Sequence, residues 1–581
     1  MKILFFAPHS AIWVHAFPEA LVAEALKQGG HEIVYVTCGR KLQRYCVAMS
    51  AYRVAPAAPD MNKLQICDLC DARKQIIREQ FGFKGCDMSE LITSEDECHV
   101  EEIVAGITRD SLTTFELNGL AIGQLALYQF MLLRKRINMD LSVQEWGECL
   151  NEFRNALYAF YAAKKLMDQE RPDRVVVYNG LYSVNRVCCK LAEQRGVPHY
   201  FMHAGGNLSN RLQTLLLGRG DTFQYMPHCV ETYAKFTQVP CTGRLLKLVT
   251  DHYLELLRGR SHFVYSSRKS TGLFDTRARF GVRPAQKLLL VTMGSYDEEV
   301  AAEMVGARHL LAPPLFPTQI EWIRALLGFV KTRSDLFLLI RVHPREFPNR
   351  REGAKSQHAT MLEEAFRGLP ENAAVNWPAD GISLYDLAEQ TDVVLNSWSS
   401  TGKEMSLLGI PVVIYSRELP FYPPDLNYVG TTHEQYFANI DHALAEGWNG
   451  ERIRQSYRWA AFEFVRSTVF IGDSYQEIEH SLHARVVRRL RRLLNPHFRE
   501  RRDCERRKVE LGAAALIRRL IETGGRSPVD LLEPAECEQV SFAEETQFLG
   551  RELRRLADAL YPDSEVRRIS RLYRLLQCFA S

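Results

Sequence analysis

Short apolar runs alternate with longer stretches of helical periodicity in two separate parts of this chain. Near the start, "KILFFA" is an apolar run, "HAFPEALVAEALKQGG" spaces its apolar residues as a helix does and stops at glycines, and "HEIVYVTC" is β-branched and aromatic. Strand, helix and strand in that order form a βαβ unit and predict a parallel sheet. From about residue 60 to 170 the pattern is helical throughout. Alternation then resumes with the strand "PDRVVVYNG", the helix "YSVNRVCCKLAEQRG" and the strand "VPHYFMHAGG". A polar, Arg- and Ser-rich stretch over 258–285 has no period and reads as a linker. Beyond it lie the strand "KLLLVTMGS", the helix "TQIEWIRALLGFVKTR", the strand "LFLLIRVHP", the helix "GISLYDLAEQ", the strand "TDVVLNS" and the strand "IPVVIY".

The expected fold class is α/β, with two Rossmann-like domains facing a cleft. Residues 1–257 form the first domain with its helical insert, 258–285 the linker, 286–475 the second domain and 476–581 a basic helical extension. A chain of 581 residues is long enough for two or three domains. In open parallel sheets, ligands sit beyond the carboxyl ends of the strands, so candidate chemistry is sought there.

Composition narrows the class. The chain is 46% hydrophobic and 25% charged, as packed domains are, and its net charge of +3 gives no argument for nucleic acid. The opening "MKILFFAPHS" is too short in apolar residues for a signal peptide. "LNGLAIGQLALYQFMLL" (117–133) is interrupted by Asn118, Gln124 and Gln129 and reads as one buried helix rather than a membrane span. A cytoplasmic protein, or one peripheral at the inner membrane, is expected. The 14 cysteines are then reduced thiols. Cys67 and Cys70 have a zinc-like spacing, but Cys86, Cys98 and His99 make an irregular second pair, so packed thiols are preferred to a metal. Charge is concentrated over 485–508, where eleven Arg or Lys face three acids. Such a helix suits either an anionic membrane surface or a solvated or partner-bound face.

Three strand ends of the second block hold candidate chemistry. In "NSWSSTGKEMSLLGIP", Thr401 and Glu404 have the spacing of a capping box, while Ser397, Ser399 and Ser400 add hydroxyls that a phosphate could use at a helix start. In "LLIRVHPREFP", alternation puts Arg341, His343 and Arg345 on one face, where two guanidiniums and an imidazole could neutralise a phosphate. Gly294 and Ser295 end a third strand, where backbone could approach a ligand closely.

These motifs resemble the donor domain of the GT-B glycosyltransferases. The Thr401, Glu404 and Gly409-Ile410-Pro411 positions match that group's pattern, while its His and glycines are replaced by Asn and Ser. A serine-rich turn with a separate His-Pro strand end is similar to the bacterial capsule-synthesis group, including polysialyltransferase-like and glycerophosphotransferase-like enzymes. "SRELPFYPPD" and "VPHYFMHAGG" resemble that group as well. The resemblance implies a nucleotide-sugar donor whose phosphate meets His343 and Ser399 or Ser400, with Glu404 on the ribose or sugar. A second Glu eight positions before Glu404 marks many retaining members; Asn396 stands there, which leans towards inversion.

An inverting transferase needs a base. His9 and His15 follow the first strand, and His15-Ala16-Phe17-Pro18 resembles the His-x-x-Pro turn whose His is the base in small-molecule glycosyltransferases. The acidic residue that polysialyltransferase-like relatives place before a Gly is missing, since Asn179-Gly180 stands there. His203 is the second candidate. Asn179, Ser183, Arg186, Gly205 and Gly206 could line the acceptor cleft. No acidic D-x-D pair is found at a strand end, so neither metal nor other cofactor is expected. The implied activity is transfer of a sugar to a growing bacterial surface glycan, of capsule or lipopolysaccharide type, free or lipid-linked. Alternatives are nucleotide-polyol phosphotransfer, sugar-nucleotide 2-epimerisation and a non-catalytic scaffold.

Overall fold

A computed structural model describes residues 1–474, 486, 490 and 511–580. Twelve strands form two sheets: β1 (Lys2–Phe6), β2 (Glu32–Val36), β3 (Arg174–Tyr178), β4 (His199–Ala204), β5 (Thr214–Arg219), β6 (Lys287–Thr292), β7 (Leu336–Arg341), β8 (Ala373–Asn376), β9 (Val393–Asn396), β10 (Val412–Ile414), β11 (Tyr428–Val429) and β12 (Val469–Phe470). The first sheet runs β12-β5-β4-β3-β1-β2, parallel from β2 to β4, with β5 antiparallel to β4 and to β12. The second runs β11-β10-β9-β6-β7-β8 and is parallel throughout. This is the expected pair of Rossmann-like sheets.

Both sheets are covered on two faces, which explains their unbroken apolar runs. Along β1, Ile3 and Phe5 pack towards the helices Trp13–Gln28 and Ala514–Thr523, while Leu4 and Phe6 pack towards the insert. Along β6, Leu288 and Leu290 face one layer and Leu289 and Val291 the other. The insert is built on the helix Val143–Glu170, started by a reciprocal Ser142–Glu145 capping box. The stretch 117–133 is not one helix. A turn at Leu117–Leu120 precedes the helices Ile122–Leu125 and Leu127–Arg134, because Asn118 and Gly119 both take positive φ. No described helix is long and apolar enough to cross a membrane. The basic segment 485–508 lies outside the described residues apart from Val486 and Leu490.

The chain recrosses before residue 475. β12 joins the first sheet beside β5, so the segment 286–475 is not confined to the second domain. The described part of the extension also spans both units. Its helix Ala514–Thr523 covers the first sheet, and the helices Phe542–Leu560 and Arg571–Ala580 cover the second. Glu545 fastens it there. This carboxylate is 1% exposed and receives the Cys241 N–H at 2.7 Å, Arg458 Nε at 2.9 Å and Arg454 Nη1 at 3.1 Å. Removing it strands a buried Arg458. Glu545→Ala is therefore expected to lower unfolding stability by about 3–5 kcal/mol, measured by urea denaturation, and a loss below about 1 kcal/mol would contradict this role.

Candidate active site

In a doubly wound sheet the crevice opens where strand order reverses. In the second sheet that point lies between β6 and β9, and in the first between β1 and β3. Both are occupied by polar side chains.

At the second sheet, a cavity of about 160 Å³ is lined by Thr292, Arg341, His343, Ser400, Thr401 and Glu404, and by Phe263 to Ser266 of the linker. It adjoins a groove of about 960 Å³ that shares Tyr265, Ser266, Arg341 and Pro344 with it and extends to Asn376 and Trp377 after β8. The inner chamber is below, and the outer groove within, the usual range for small-molecule sites of about 300–1,000 Å³.

The serine turn is built by a buried polar network. Asn396, fully buried, accepts from Thr292 Oγ1 at 2.8 Å and from Ser399 Oγ at 2.8 Å, and its amide donates to Ser399 O and to the Tyr422 hydroxyl. Tyr422 donates to Asn427, whose amide donates to Ser406. Gly402 is required here, since a Cβ would lie 1.9 Å from the Tyr422 oxygen. Ser397 donates to Thr292 O at 3.4 Å. Ser397 and Ser399 are thus consumed within the turn, and Ser400 and Thr401 are the hydroxyls at the cavity.

The expected Thr401–Glu404 capping box does not form. The helix Thr401–Leu407 has Ser400 at its N-cap, in helical conformation and without a side-chain cap. Ser400 Oγ donates to Glu404 Oε1 at 2.7 Å instead. Burial pushes the Glu404 carboxyl above its ordinary range, against the Ser400 hydrogen bond and Lys403.

After β7 the three basic residues part company. Arg341 is 8% exposed, donates to Asn376 Oδ1 at 2.7 Å and to Ile382 O at 3.0 Å, and has no ion-pair partner among the described residues. Burial lowers its pKa to about 10, so it remains charged at neutral pH. His343 accepts the Arg345 N–H on Nδ1 at 3.3 Å. That bond leaves the proton of the neutral ring on Nε2, which becomes a donor. Burial pushes the His343 pKa down, which favours this neutral form.

Arg345 does not share their face. Pro344–Glu346 is a 3₁₀ turn, which carries Arg345 inward to Asp297 at 2.6 Å, Ser295 Oγ at 3.2 Å and Glu352 at 3.2 Å. Burial works against its charge, but Glu298, Asp297 and Glu352 outweigh it. Arg345 lines neither the cavity nor the groove. Ser295 is likewise engaged, donating to Asp297 at 3.1 Å, and a Cβ on Gly294 would meet the Trp398 ring at 2.5 Å. Neither Gly294 nor Ser295 lines the cavity.

At the first sheet, three histidines gather around two tyrosines. His15 stacks on Tyr178 at 4.0 Å, His203 lies 6.0 Å from Tyr178, and His9 meets Tyr182 edge-on at 5.8 Å. Their elements place them there: His9 follows β1, His15 opens the first helix, His203 ends β4, and the tyrosines flank the turn after β3. Asn179 makes that turn with φ 58°, its Oδ1 accepting the Leu181 N–H at 3.1 Å. Burial lowers the pKa of His9 and of His203 to about 4, with Arg211 adding to the effect on His203. Burial also lowers His15, with His203 and His9 behind it. His203 Nδ1 lies 3.1 Å from the Ala204 carbonyl, which can only accept, so Nδ1–H donates and Nε2 keeps a lone pair. His15 Nδ1 is buried without a hydrogen-bond partner among the described residues.

The remaining residues expected at the acceptor cleft make contacts within the fold. Ser183 donates to Ala126 O at 3.0 Å. Arg186, 2% exposed, pairs with Asp221 at 2.9 Å and donates to Val305 O and Gly306 O, tying the first domain to the second. Gly205 and Gly206 make room for Thr214 and the Phe464 ring. Cys67 and Cys70 lie with Cys38 and Cys46 around a space of about 20 Å³, not with Cys86, Cys98 and His99; His99 bonds the Tyr161 hydroxyl at 2.7 Å. Among the described residues, no group of three His, Cys, Asp or Glu side chains could hold a metal ion. Phe263, Tyr265 and Thr292 were not legible as site residues, since none belongs to a motif.

No family model matches the chain, and no curated protein matches it. Solved structures are distantly similar. The KpsC beta Kdo 2,4 transferase of Thermosulfurimonas dismutans is 16% identical, over 51% of this chain and 80% of that one, with a TM-score of 0.32. A UDP-GlcNAc 2-epimerase from Neisseria meningitidis bound to UDP-GlcNAc is 11% identical, over 85% and 100%, at 0.26. The calicheamicin glycosyltransferase CalG4 is 14% identical, over 80% and 94%, at 0.25. The two-sheet layout rests on the strand order of this chain itself.

The histidine cluster predicts a pH dependence. His9 and His203 titrate near 4 when folded and near 6.5 when unfolded, so the unfolded state binds more protons between those values. The contribution of these two histidines to stability is complete above pH 6.5 and is lost as pH falls towards 4. For the 6%-exposed His9 the loss is on the order of 3 kcal/mol. Melting temperature against pH should fall over this window, and His9→Asn should flatten the fall. An unchanged slope in that variant would contradict the burial of a neutral imidazole.

Proposed function

We propose that the protein is a nucleotide-sugar-dependent glycosyltransferase that extends a bacterial surface glycan of capsule or lipopolysaccharide type. The observation that supports this most is the cavity at the β6–β9 reversal. There Arg341, without an ion-pair partner among the described residues, the Nε2–H donor of His343 and the Thr401 hydroxyl meet, beside a Ser400 whose proton is given to Glu404. The set suits a phosphate, and the adjoining groove has room for the nucleoside. Across the linker, His203 presents a neutral ring with a free Nε2.

In this mechanism His203 Nε2 takes the proton of the acceptor hydroxyl as its oxygen bonds to the anomeric carbon. The bond from that carbon to the donor's phosphate oxygen breaks, with inversion. His343 and Arg341 hold the departing nucleotide, meeting its charge without a divalent cation. His15, stacked on Tyr178, borders the same face. Glu404 would meet the ribose or sugar. The acceptor would be reached from the cytoplasmic side of the inner membrane, with the 485–508 basic segment available to anionic lipid.

A panel of CMP, CDP, UDP, GDP and dTDP, each with and without EDTA, tests this by thermal shift. One nucleotide is expected to stabilise the protein selectively and independently of EDTA. His343→Ala should weaken that nucleotide about 10–100-fold, the value of one hydrogen bond to a charged group. No shift with any nucleotide would favour a non-catalytic scaffold, and unchanged affinity in the variant would remove His343 from the donor site.

A further inference from the structure

Two guanidinium groups beside the cavity lack the partners that such groups normally have. Arg211, between β4 and β5, rests on the Phe263 ring, its guanidinium carbon 4.6 Å from the centroid. Its Nε is buried and has no hydrogen-bond partner among the described residues. Arg351, in the loop after β7, rests on the Tyr265 ring at 4.2 Å. Both are half-buried, and neither forms an ion pair with any described residue, whereas the buried Arg186, Arg308, Arg345 and Arg458 do.

The carboxylates nearby are already engaged. Glu352 serves Lys135 at 3.2 Å, Arg345 at 3.2 Å and the Tyr265 hydroxyl at 3.0 Å, and Glu298 faces Arg345 at 3.5 Å. The neighbouring His262 is pushed down by burial and then by Arg351, Arg53 and Arg350, with no acid acting in the other direction. An unpaired charge withdrawn from water is costly, and an incoming anion removes that cost. Phe263 and Tyr265 both wall the inner cavity, and Tyr265 lies 5.8 Å from the His343 ring. Arg211 comes from the first domain and Arg351 from the second, so an anion between them would bridge the two units.

We propose that Arg211 and Arg351 form an oxyanion site that receives a phosphate or carboxylate of a substrate held between the two sheets. This deepens the transferase reading and rests on it for the word substrate. The anion is either a phosphate of the donor nucleotide or an acidic group on the acceptor glycan. A guanidinium held over an aromatic ring is restrained in place while its N–H donors stay available to a bidentate oxyanion.

The test uses the full-length protein with Arg211→Gln, Arg351→Gln, the double variant and His343→Ala, each checked for an intact melting transition. Arg351→Gln and the charge-keeping Arg211→Lys decide the matter if Arg211→Gln does not fold. Inorganic pyrophosphate is the first probe, by calorimetry. The wild type is expected to bind it, and the double variant to bind at least about tenfold more weakly. No binding by the wild type, or binding lost in His343→Ala but unaltered in the double variant, overturns the site. UDP against uridine, and a glucuronate-bearing oligosaccharide against its carboxyl-reduced form, then separate the sources. Selective loss for UDP assigns the donor's phosphate, and selective loss for the acidic oligosaccharide assigns the acceptor. If pyrophosphate binding depends on Arg211 while no nucleotide binds, the anion site stands and the transferase reading falls.

Discussion

The Arg345–Asp297 ion pair, 2.6 Å long and nearly sealed from water, decides what the loop after β7 can do. Asp297 draws the guanidinium inward, and Lys135 of the helical insert donates to the Arg345 and Ala354 carbonyls from the other side. The 3₁₀ turn this imposes hands the Arg345 N–H to His343 Nδ1 and so sets which nitrogen of His343 is a donor. Arg341, before the turn, lines the chamber with no ion-pair partner among the described residues. Most of the second domain's candidate chemistry follows from where one arginine is not allowed to point.

A complementary constraint acts on the first sheet. His9, His15 and His203 share one edge with Tyr178 and Tyr182, and protonating any of them would place a charge among buried rings. All three are therefore neutral near pH 7. Hydrogen bonding then separates the two central imidazoles. His203 gives its Nδ1 proton to Ala204 O and keeps an accepting Nε2, whereas His343 accepts on Nδ1 and keeps a donating Nε2. One suits taking a proton and the other suits holding an oxyanion, although the two side chains are chemically identical.

Much of this was legible along the chain. Both sheets announced themselves as apolar runs separated by helical periods, because strands covered on both faces must be apolar throughout. His343, Ser400 and Thr401 stood at strand ends and reach one cavity. Other features were hidden for physical reasons. β12 is two residues long and has no period to read, so the return to the first sheet went unseen. Alternation placed Arg345 beside His343, but a partner 48 residues away turned it inward. The Thr401–Glu404 spacing matched a capping box, yet Ser400 reached the carboxylate first. Gly294 suggested backbone open to ligand and Gly205 and Gly206 a cleft lining, and each makes room for a neighbouring side chain. Arg211 had no signal at all, because its significance lies in what does not surround it.

The central claim is that the donor's phosphate sits at the β6–β9 reversal and faces the histidines of the first sheet. A crystal structure with the most strongly stabilising nucleotide tests it most directly. The phosphate is expected within hydrogen-bond reach of His343 Nε2 and beside the Ser400 and Thr401 hydroxyls, with the nucleoside in the groove towards Trp377. A nucleotide bound on the first sheet, or with its phosphate away from His343, would contradict the account.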